Sequence, residues 1–396
     1  MAQRRRVQAG VLAVFGAFIV YTAGPVFGDE LGLSLQGRLT LRGGPDSGFD
    51  LNTMNRGDNP FSSFRVLVLT QAAVNDNTDL FLEIPIDSNA RSSLFLTYLR
   101  PFIRISSLGD RPWLNVQAGK LPTLFGTYGE RTASTEPGLM AVPLLYYYHT
   151  AVQGNNAPAG PGDFFLPGVR GEQTGTPIVY DACWDIGAEV FGAHNGFQFT
   201  AAATQGTVSR PSMGENYNDG YQFLSRVGYE VTSGPLFGLR FGATGAFGPY
   251  LSSSIAEDAD FPAGKSPEDY LNTALGLDLA YARGPWRFFG EAGRIGYEVP
   301  NVDPTLNVTA YYLEVIRNLG PSWAVAVRQE AALFSDLTAG AETGPWDYDV
   351  WRWEATVNYR FRRGTRIRVG YQDARYPDAP EYDTNLFAVQ LQVWTR

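Results

Sequence analysis

The chain has 396 residues, of which 44% are hydrophobic, 18% charged and 14% aromatic, and its formal net charge is −9. Its 44 glycines and 25 prolines exclude a mainly helical protein, because both residues destabilise helix interiors. Beyond the N-terminus, no apolar run reaches the roughly 18 residues that a spanning helix needs, and the negative charge argues against a nucleic-acid partner. A β-sandwich, a propeller or a β-barrel remains.

Residues 1–28 have the pattern of a secretory signal peptide. Arg4, Arg5 and Arg6 precede an apolar stretch from Val11 to Thr22, and small residues follow up to Gly28. An uncleaved membrane anchor is the alternative, but the apolar stretch is shorter than such an anchor requires. Removal of these residues would take away three arginines and no acids, which makes the net charge −12.

About sixteen segments then alternate apolar and polar residues over the length that a tilted strand needs to cross a bilayer. Alternation is clearest at 350–361, where Trp351 and Trp353 share one face and Arg352 and Glu354 the other. It is weak at 64–74 and 196–204, so fourteen or eighteen strands stay open. In chain order, the predicted strands are 31–41, 64–74, 78–86, 94–106, 112–120, 178–191, 196–204, 220–231, 236–247, 270–281, 286–299, 306–317, 322–334, 350–361, 365–374 and 384–394.

The connections between these segments sort by length. They are short after each even-numbered strand and mostly long after each odd-numbered one, and the longest, the third long connection, covers 121–177. A sandwich mixes loop lengths at both ends, whereas a transmembrane β-barrel has short periplasmic turns and long extracellular loops. We therefore predict that residues 29–396 form one all-β domain, a transmembrane antiparallel barrel.

The sequence from Gln117 to Gly126, QAGKLPTLFG, is similar to a strand end in phosphate-selective and oligosaccharide-type porins. Together with the strand and loop pattern, the chain resembles Gram-negative outer-membrane porins of about sixteen strands, although it ends in Trp394-Thr395-Arg396 instead of a terminal aromatic residue. The resemblance implies an outer-membrane location, passive diffusion of small hydrophilic solutes, a homotrimer, and a water-filled pore narrowed by the third long loop.

The apolar stretch Leu144 to Thr150 within the connection 121–177 favours packing inside the barrel, because it is too apolar to lie free in water. Covering a sheet edge or contacting a neighbouring subunit are the alternatives. The candidate residues of this constriction loop are Glu130, Arg131, Glu136, Tyr146, Tyr147, Tyr148 and His149.

The polar strand faces supply candidate pore-lining charges. We expect the loop carboxylates Glu130 and Glu136 to oppose an arginine wall, and the resulting field to favour small hydrophilic solutes, anions among them. Structural ion pairs between neighbouring strands are the alternative. The candidate residues are Arg100, Arg104, Arg240, Arg328, Glu330, Arg352, Glu354, Arg360 and Arg368.

Aromatic residues near the short turns indicate a girdle at the periplasmic membrane interface. The turns at Gly234-Pro235 and Gly284-Pro285 come directly before Leu236 and Trp286, and the turn at Gly320-Pro321 comes two residues before Trp323. Burial in a soluble core is the alternative. The predicted girdle comprises Trp113, Trp286, Trp323 and Trp394. Outer-membrane lipids would be partners, and acidic outer loops could bind lipopolysaccharide through divalent cations. The sequence favours a solvated acidic surface over such a site, because charged loops need no ligand to stay soluble.

Catalysis has little support in the sequence. His149 and His194 are the two histidines and neither stands in a recognisable nucleophile pattern, so an outer-membrane hydrolase is a weak alternative and we expect no enzyme. Cys183 is the single cysteine, and no cofactor or metal is expected. A barrel that acts as a sheath for a partner protein is the second alternative to a pore.

Overall fold

The computed structural model describes residues 31–43, 61–88, 95–96, 100–122, 124–132, 138–180, 184–210, 217–362 and 364–394. The predicted signal peptide, residues 1–28, lies outside them. The strands are β1 (Leu31–Gly43), β2 (Phe61–Asn75), β3 (Thr78–Ser88), β4 (Phe95–Leu96), β5 (Arg100–Ile105), β6 (Leu114–Pro122), β7 (Trp184–His194), β8 (Phe197–Thr204), β9 (Gln222–Glu230), β10 (Arg240–Pro249), β11 (Leu271–Arg283), β12 (Trp286–Tyr297), β13 (Leu306–Asn318), β14 (Trp323–Phe334), β15 (Asp336–Ala339), β16 (Glu342–Pro345), β17 (Val350–Arg362), β18 (Thr365–Arg375) and β19 (Thr384–Trp394).

The long strands form one antiparallel ring. Within the described residues the main sheet contains 17 strands, and β4 pairs with β3 on the same edge as β5, so these two occupy one position of sixteen. Neighbours in this ring follow one another in the chain, and β1 pairs with β19 from Gln36↔Trp394 to Gly43↔Phe387 as well as with β2. The predicted barrel of about sixteen antiparallel strands is confirmed.

Several bounds differ from the predicted strands. The segment predicted at 94–106 contains the separate strands β4 and β5, and β10 begins at Arg240 instead of 236. Two further differences involve the long loops. β7 begins at Trp184 instead of 178, because Ile178 and Val179 donate their backbone N–H groups to the loop carbonyls of Tyr148 and Leu145. The loop 335–349 contains the small hairpin of β15 and β16, which the sequence analysis missed because strands of four residues are too short to show alternation.

In the residues that the structure describes, helical structure is confined to short turns. α-Helical turns cover Tyr128–Thr132 and Leu144–Tyr147, and 3₁₀ turns cover Leu108–Asp110, Pro161–Phe165, Ser253–Glu257, Pro267–Asp269 and Pro380–Tyr382. Among the residues described here, no helix has the length and apolar character needed to cross a membrane.

The polarity of the barrel is the reverse of that of a soluble protein. On β17, Arg352 and Glu354 are buried on the inner face, whereas Trp353 on the outer face is 53% exposed. Leu275 and Phe387 are also on the outer face and are 67% and 61% exposed. Among the described side chains, the outer face thus carries a band of exposed apolar residues, and this is the surface that a hydrocarbon environment favours.

The main hydrophobic core lies at the end of the barrel that carries the long loops. Trp346 is fully buried there, with its ring 4.8 Å from that of Phe334, and its Nε1–H donates to the carbonyl of Asn307. Tyr250 and Tyr297 contribute further buried rings to the same cluster. The long loops are therefore packed against one another and against the upper strand ends.

Candidate functional site

The third long connection folds into the barrel, as predicted. We call residues 124–132 and 138–148 the inward segment. Its side chains Phe125, Leu145 and Met140 are buried, and they pack over Gly276, Gly293 and Gly370 on the inner faces of β11, β12 and β18. A side chain at any of these glycines would collide with the segment. The missing Cβ atoms thus give the segment the space to lie against the wall.

Two glutamates of the wall accept hydrogen bonds from the backbone of the inward segment. The Glu354 carboxylate accepts from the N–H of Met140 at 2.7 Å and of Ala141 at 3.1 Å. Glu330 accepts from the N–H of Leu144 at 2.6 Å. An irregular segment has no internal ladder to satisfy its buried N–H groups, so these carboxylates supply the missing acceptors.

Arginines of the same wall donate to the carbonyl groups of the segment. Arg328 donates from Nη2 to Ala141 at 2.8 Å, Arg352 donates to Val142, and Arg368 donates to Leu139 at 3.4 Å. Together with the glutamates, they bind both the donors and the acceptors of one stretch of backbone.

These wall charges also pair with one another. Arg328 lies 3.1 Å from Glu330 and 2.8 Å from Glu354, and Arg352 lies 2.7 Å from Glu330. All four side chains are at most 5% exposed. Loss of one partner from a buried ion pair costs about 3–5 kcal/mol, because the other charge is left without compensation. The network therefore fixes the inward segment to β14 and β17.

A second anchor holds the beginning of the inward segment. The Glu291 carboxylate accepts hydrogen bonds from the backbone N–H of Thr127 at 3.0 Å and from the Tyr146 hydroxyl. Arg131 pairs with Glu314 and lies with its guanidinium 3.7 Å from the ring centroid of Phe289.

The wall charges Arg328, Glu330, Arg352, Glu354 and Arg368 therefore lie on the inner face but beneath the inward segment, not at an open lumen. Arg240 and Arg360 are exposed at the ends of their strands next to the short turns. Glu136 and the side chain of Glu130 lie outside the described residues. The structure thus places wall glutamates and backbone carbonyl groups of the inward segment directly against the buried arginines.

The other candidate residues of the third long loop lie in different places in the structure. Tyr147 is half-buried with its ring 6.5 Å from that of His149, whose Nδ1 lies 2.7 Å from the carbonyl oxygen of Gly175. Tyr148 belongs to the core of the long loops and donates to Asp347 at 3.1 Å. Tyr146 reaches Glu291 on the wall, and the ring of Tyr148 lies 5.4 Å from that of Phe334 at the end of β14.

The wall formed by β3 and β5 carries a different set of inner side chains, and these remain partly exposed, whereas Gln117 on β6 and Glu189 on β7 are buried beside them. Arg104 lies with its guanidinium carbon 4.9 Å from the ring centroid of Phe81 and 5.5 Å from that of Phe191. Its Nε and Nη2 donate to Gln117 Oε1 at 3.2 and 3.0 Å. No carboxylate of the described residues is within ion-pair distance of Arg104, whereas Arg100 beside it pairs with Glu83.

The predicted girdle residues are at the short-turn end of the barrel. Trp286 and Trp323 are 37% and 50% exposed on the outer face, and Trp113 is half-buried beside Phe199. The side chain of Trp394 lies outside the described residues. Sequence analysis missed a second set of exposed outer rings at the long-loop end, which includes Tyr221, Phe223, Phe247, Trp351 and Phe387.

Asp347 is a buried acid of the loop 335–349, although its sequence context is that of the acidic outer loops. Its buried carboxylate accepts from the N–H groups of Gly171 at 2.8 Å and Ala151 at 2.9 Å, and from Tyr148. Burial raises the pKa of Asp347 to about 6, although the hydrogen bonds that it accepts oppose this shift. The carboxyl group joins the loop 335–349 to the third long loop.

The two histidines lie in different parts of the fold. His194 is at a short turn, and His149 is in the third long loop. His194 contacts Asn195 and the ring of Trp113, and His149 contacts the rings of Tyr147 and Tyr180. Within the part of the chain that the structure describes, no group of three or more potential metal ligands comes together.

No protein-family model and no curated protein sequence matches the chain. Several known structures do match its fold. One is the in-vitro folded trimer form of OmpT, an outer membrane protein of Vibrio cholerae, with 12% identity and a TM-score of 0.54 over 92% of this chain and 99% of that chain. Salmonella typhi OmpF in complex with daunomycin matches with 9% identity and a TM-score of 0.57, over 92% and 97% of the two chains.

An anion-selective porin from Comamonas acidovorans matches with 11% identity and a TM-score of 0.55, over 92% of this chain and 99% of that chain. At these identities the similarity establishes the fold. The chain therefore has the antiparallel β-barrel fold of the outer-membrane porins.

Proposed function

We propose that the chain is an outer-membrane porin, a passive diffusion channel for small hydrophilic solutes with a preference for anions. One observation carries this proposal: the inward segment is bound to the wall at β12, β14, β17 and β18, whereas the described inner side chains of β3 and β5 stay partly exposed. A segment fixed to one wall narrows a barrel and leaves a passage along the other.

The outer surface supports a membrane location. Exposed apolar side chains cover the outer faces of the strands, and aromatic rings lie near both ends of this band, as at Trp286 and Phe247. This arrangement suits a barrel surrounded by lipid. A trimer is part of the proposal, because one of the structures that share this fold is a trimer form.

The anion preference rests on Arg104. Its guanidinium group is held by a neutral partner, Gln117, and by aromatic rings, so its charge is not cancelled by direct contact with a carboxylate. Asp79, which stands opposite it in register, accepts from Gln71, and Glu189 accepts from Gln117, so both nearby carboxylates are hydrogen-bonded to neutral amides and not to Arg104. A fixed positive charge in a narrow aqueous passage raises the local anion concentration. One structure of the same fold is an anion-selective porin.

The reversal potential of the purified protein in a planar lipid bilayer under a KCl gradient tests this assignment. We expect the chloride-to-potassium permeability ratio to exceed one and to fall about twofold in Arg104→Gln, because the passage loses one fixed positive charge. Arg317→Gln removes an arginine from the outer face and should leave the ratio unchanged. A cation-selective wild type, or equal ratios in wild type and Arg104→Gln, would reject the role of Arg104.

A further inference from the structure

Arg294 is an exposed arginine on the outer face of β12, within the apolar band. It lies eight residues along the strand from Trp286, which is about 20 Å along the barrel axis for a strand tilted by about 40°. The apolar band of such barrels is about 25 Å high. Arg294 therefore stands close to the upper edge of the band, at the level of the outer-leaflet head groups.

The surroundings of Arg294 orient its guanidinium group without neutralising it. Its Nε donates to Asn307 Oδ1 at 3.3 Å, and Asn307 in turn donates from Nδ2 to the carbonyl of Thr305 at 2.8 Å. In the part of the chain that the structure describes, no carboxylate lies within ion-pair distance of Arg294. Glu298 is farther up the same face, and its Oε2 accepts from the N–H of Leu271 at 3.0 Å. Both Nη groups of Arg294 can therefore bind an external anion.

A groove of about 750 Å³ begins beside Arg294 and crosses the outer faces of β12, β11, β10, β9 and β8. Small residues on neighbouring strands form the floor of the groove, and larger apolar side chains form its sides. The rings of Phe223 and Phe247, 5.7 Å apart, stand at one side. The floor includes Ser225, Gly245, Thr273 and Gly296.

A charged side chain at the bilayer boundary is costly unless an anion or water accompanies it. Guanidinium groups bind phosphate oxygens in a bidentate manner, and an apolar groove that faces the bilayer accommodates an acyl chain. We propose that Arg294 binds the phosphate of a phosphorylated acyl lipid in the outer leaflet, whose chain lies in the groove. This site rests on the membrane location in the proposed function, but not on conduction.

Native mass spectrometry of the detergent-purified protein with added diphosphoryl lipid A tests the site. We expect the wild type to retain one more lipid than Arg294→Gln, with at least a fivefold fall in the bound fraction of that complex. Arg317→Gln, at the opposite end of the outer face, should bind like the wild type. Lipid A without its phosphates should bind to the wild type as weakly as intact lipid A binds to Arg294→Gln.

A second variant, Gly245→Leu, tests the groove and leaves the charge of Arg294 unchanged. In Gly245→Leu the new side chain fills the floor, where the nearest neighbouring atom to an added Cβ is Leu275 Cδ2 at 3.7 Å, and lipid retention should also fall. Equal retention in wild type, Arg294→Gln and Gly245→Leu would overturn the proposal. A change from trimer to monomer in light scattering, with unchanged lipid retention, would instead assign this face to contacts between copies. Channel conductance measured on the same samples separates failure of this site from failure of the porin assignment.

Discussion

At the scale of single residues, the buried charges of the wall act on backbone rather than on solute. Glu330 and Glu354 accept from three N–H groups of the inward segment, and Arg328 donates to one of its carbonyls. A backbone stretch without regular structure requires such partners when it is removed from water. The arginines and glutamates from which we predicted a charged lumen therefore bind the backbone of the inward segment.

Asp347 gives the packing of the long loops a pH dependence. Its pKa in the folded protein is about 6, above the usual value near 4, so its contribution to stability is complete below about pH 4 and is lost as the pH rises through 6. We expect protection of the Ala151 and Gly171 amides against hydrogen exchange, corrected for intrinsic rates, to fall from pH 5 to pH 8. The free-energy change over this interval is on the order of 1 kcal/mol, because about half of the pKa difference lies above pH 5.

The matched variants for this prediction are Asp347→Asn and Asp260→Asn, the second in an exposed part of another long loop. Asp347→Asn should remove the pH dependence of protection between pH 5 and 8, whereas Asp260→Asn should keep it. The same pH trend in wild type and Asp347→Asn would show that another group is responsible.

At the scale of elements, the inward segment fits the wall because glycines stand under its largest side chains. Gly276 faces Phe125 and Gly370 faces Met140. We expect Gly276→Leu and Gly370→Leu to displace the segment at a cost of about 1–3 kcal/mol, as overpacking does in other interiors. Single-channel recordings should then show larger and noisier open steps.

Gly245→Leu is the control for these two variants, because Gly245 is on the outer face and has room for a side chain. It should fold and conduct like the wild type. Channels of normal size and low noise in both Gly276→Leu and Gly370→Leu would show that the segment does not set the width of the passage.

Strand positions and loop order could be predicted from the sequence because alternation and turn length are local properties. β17 shows this, since its outer tryptophans and inner charged residues alternate without interruption. The sequence could not predict that the inward segment covers Arg328 and Arg352, because the backbone carbonyl groups that contact these arginines are about 190–210 residues away in the chain. The role of Asp347 was missed for the same reason, as its partners lie in another loop.

At the scale of the whole molecule, the two halves of the barrel interior have different roles. The inward segment and the long-loop core cover the wall that includes β12, β14, β17 and β18. The wall with Arg104 retains partly exposed inner side chains. The described outer faces of the strands carry mostly apolar side chains, whereas charged residues such as Arg328 and Glu354 lie on the inner face.

Single-channel conductance of the folded, heat-modifiable wild-type protein in a planar lipid bilayer tests the central claim most directly. A passage between the inward segment and the Arg104 wall predicts stable open steps that increase linearly with KCl concentration and persist in both voltage polarities. A correctly folded barrel that inserts without any conductance would contradict the account. In that case the inward segment closes the barrel, and the protein serves as a scaffold instead of a channel.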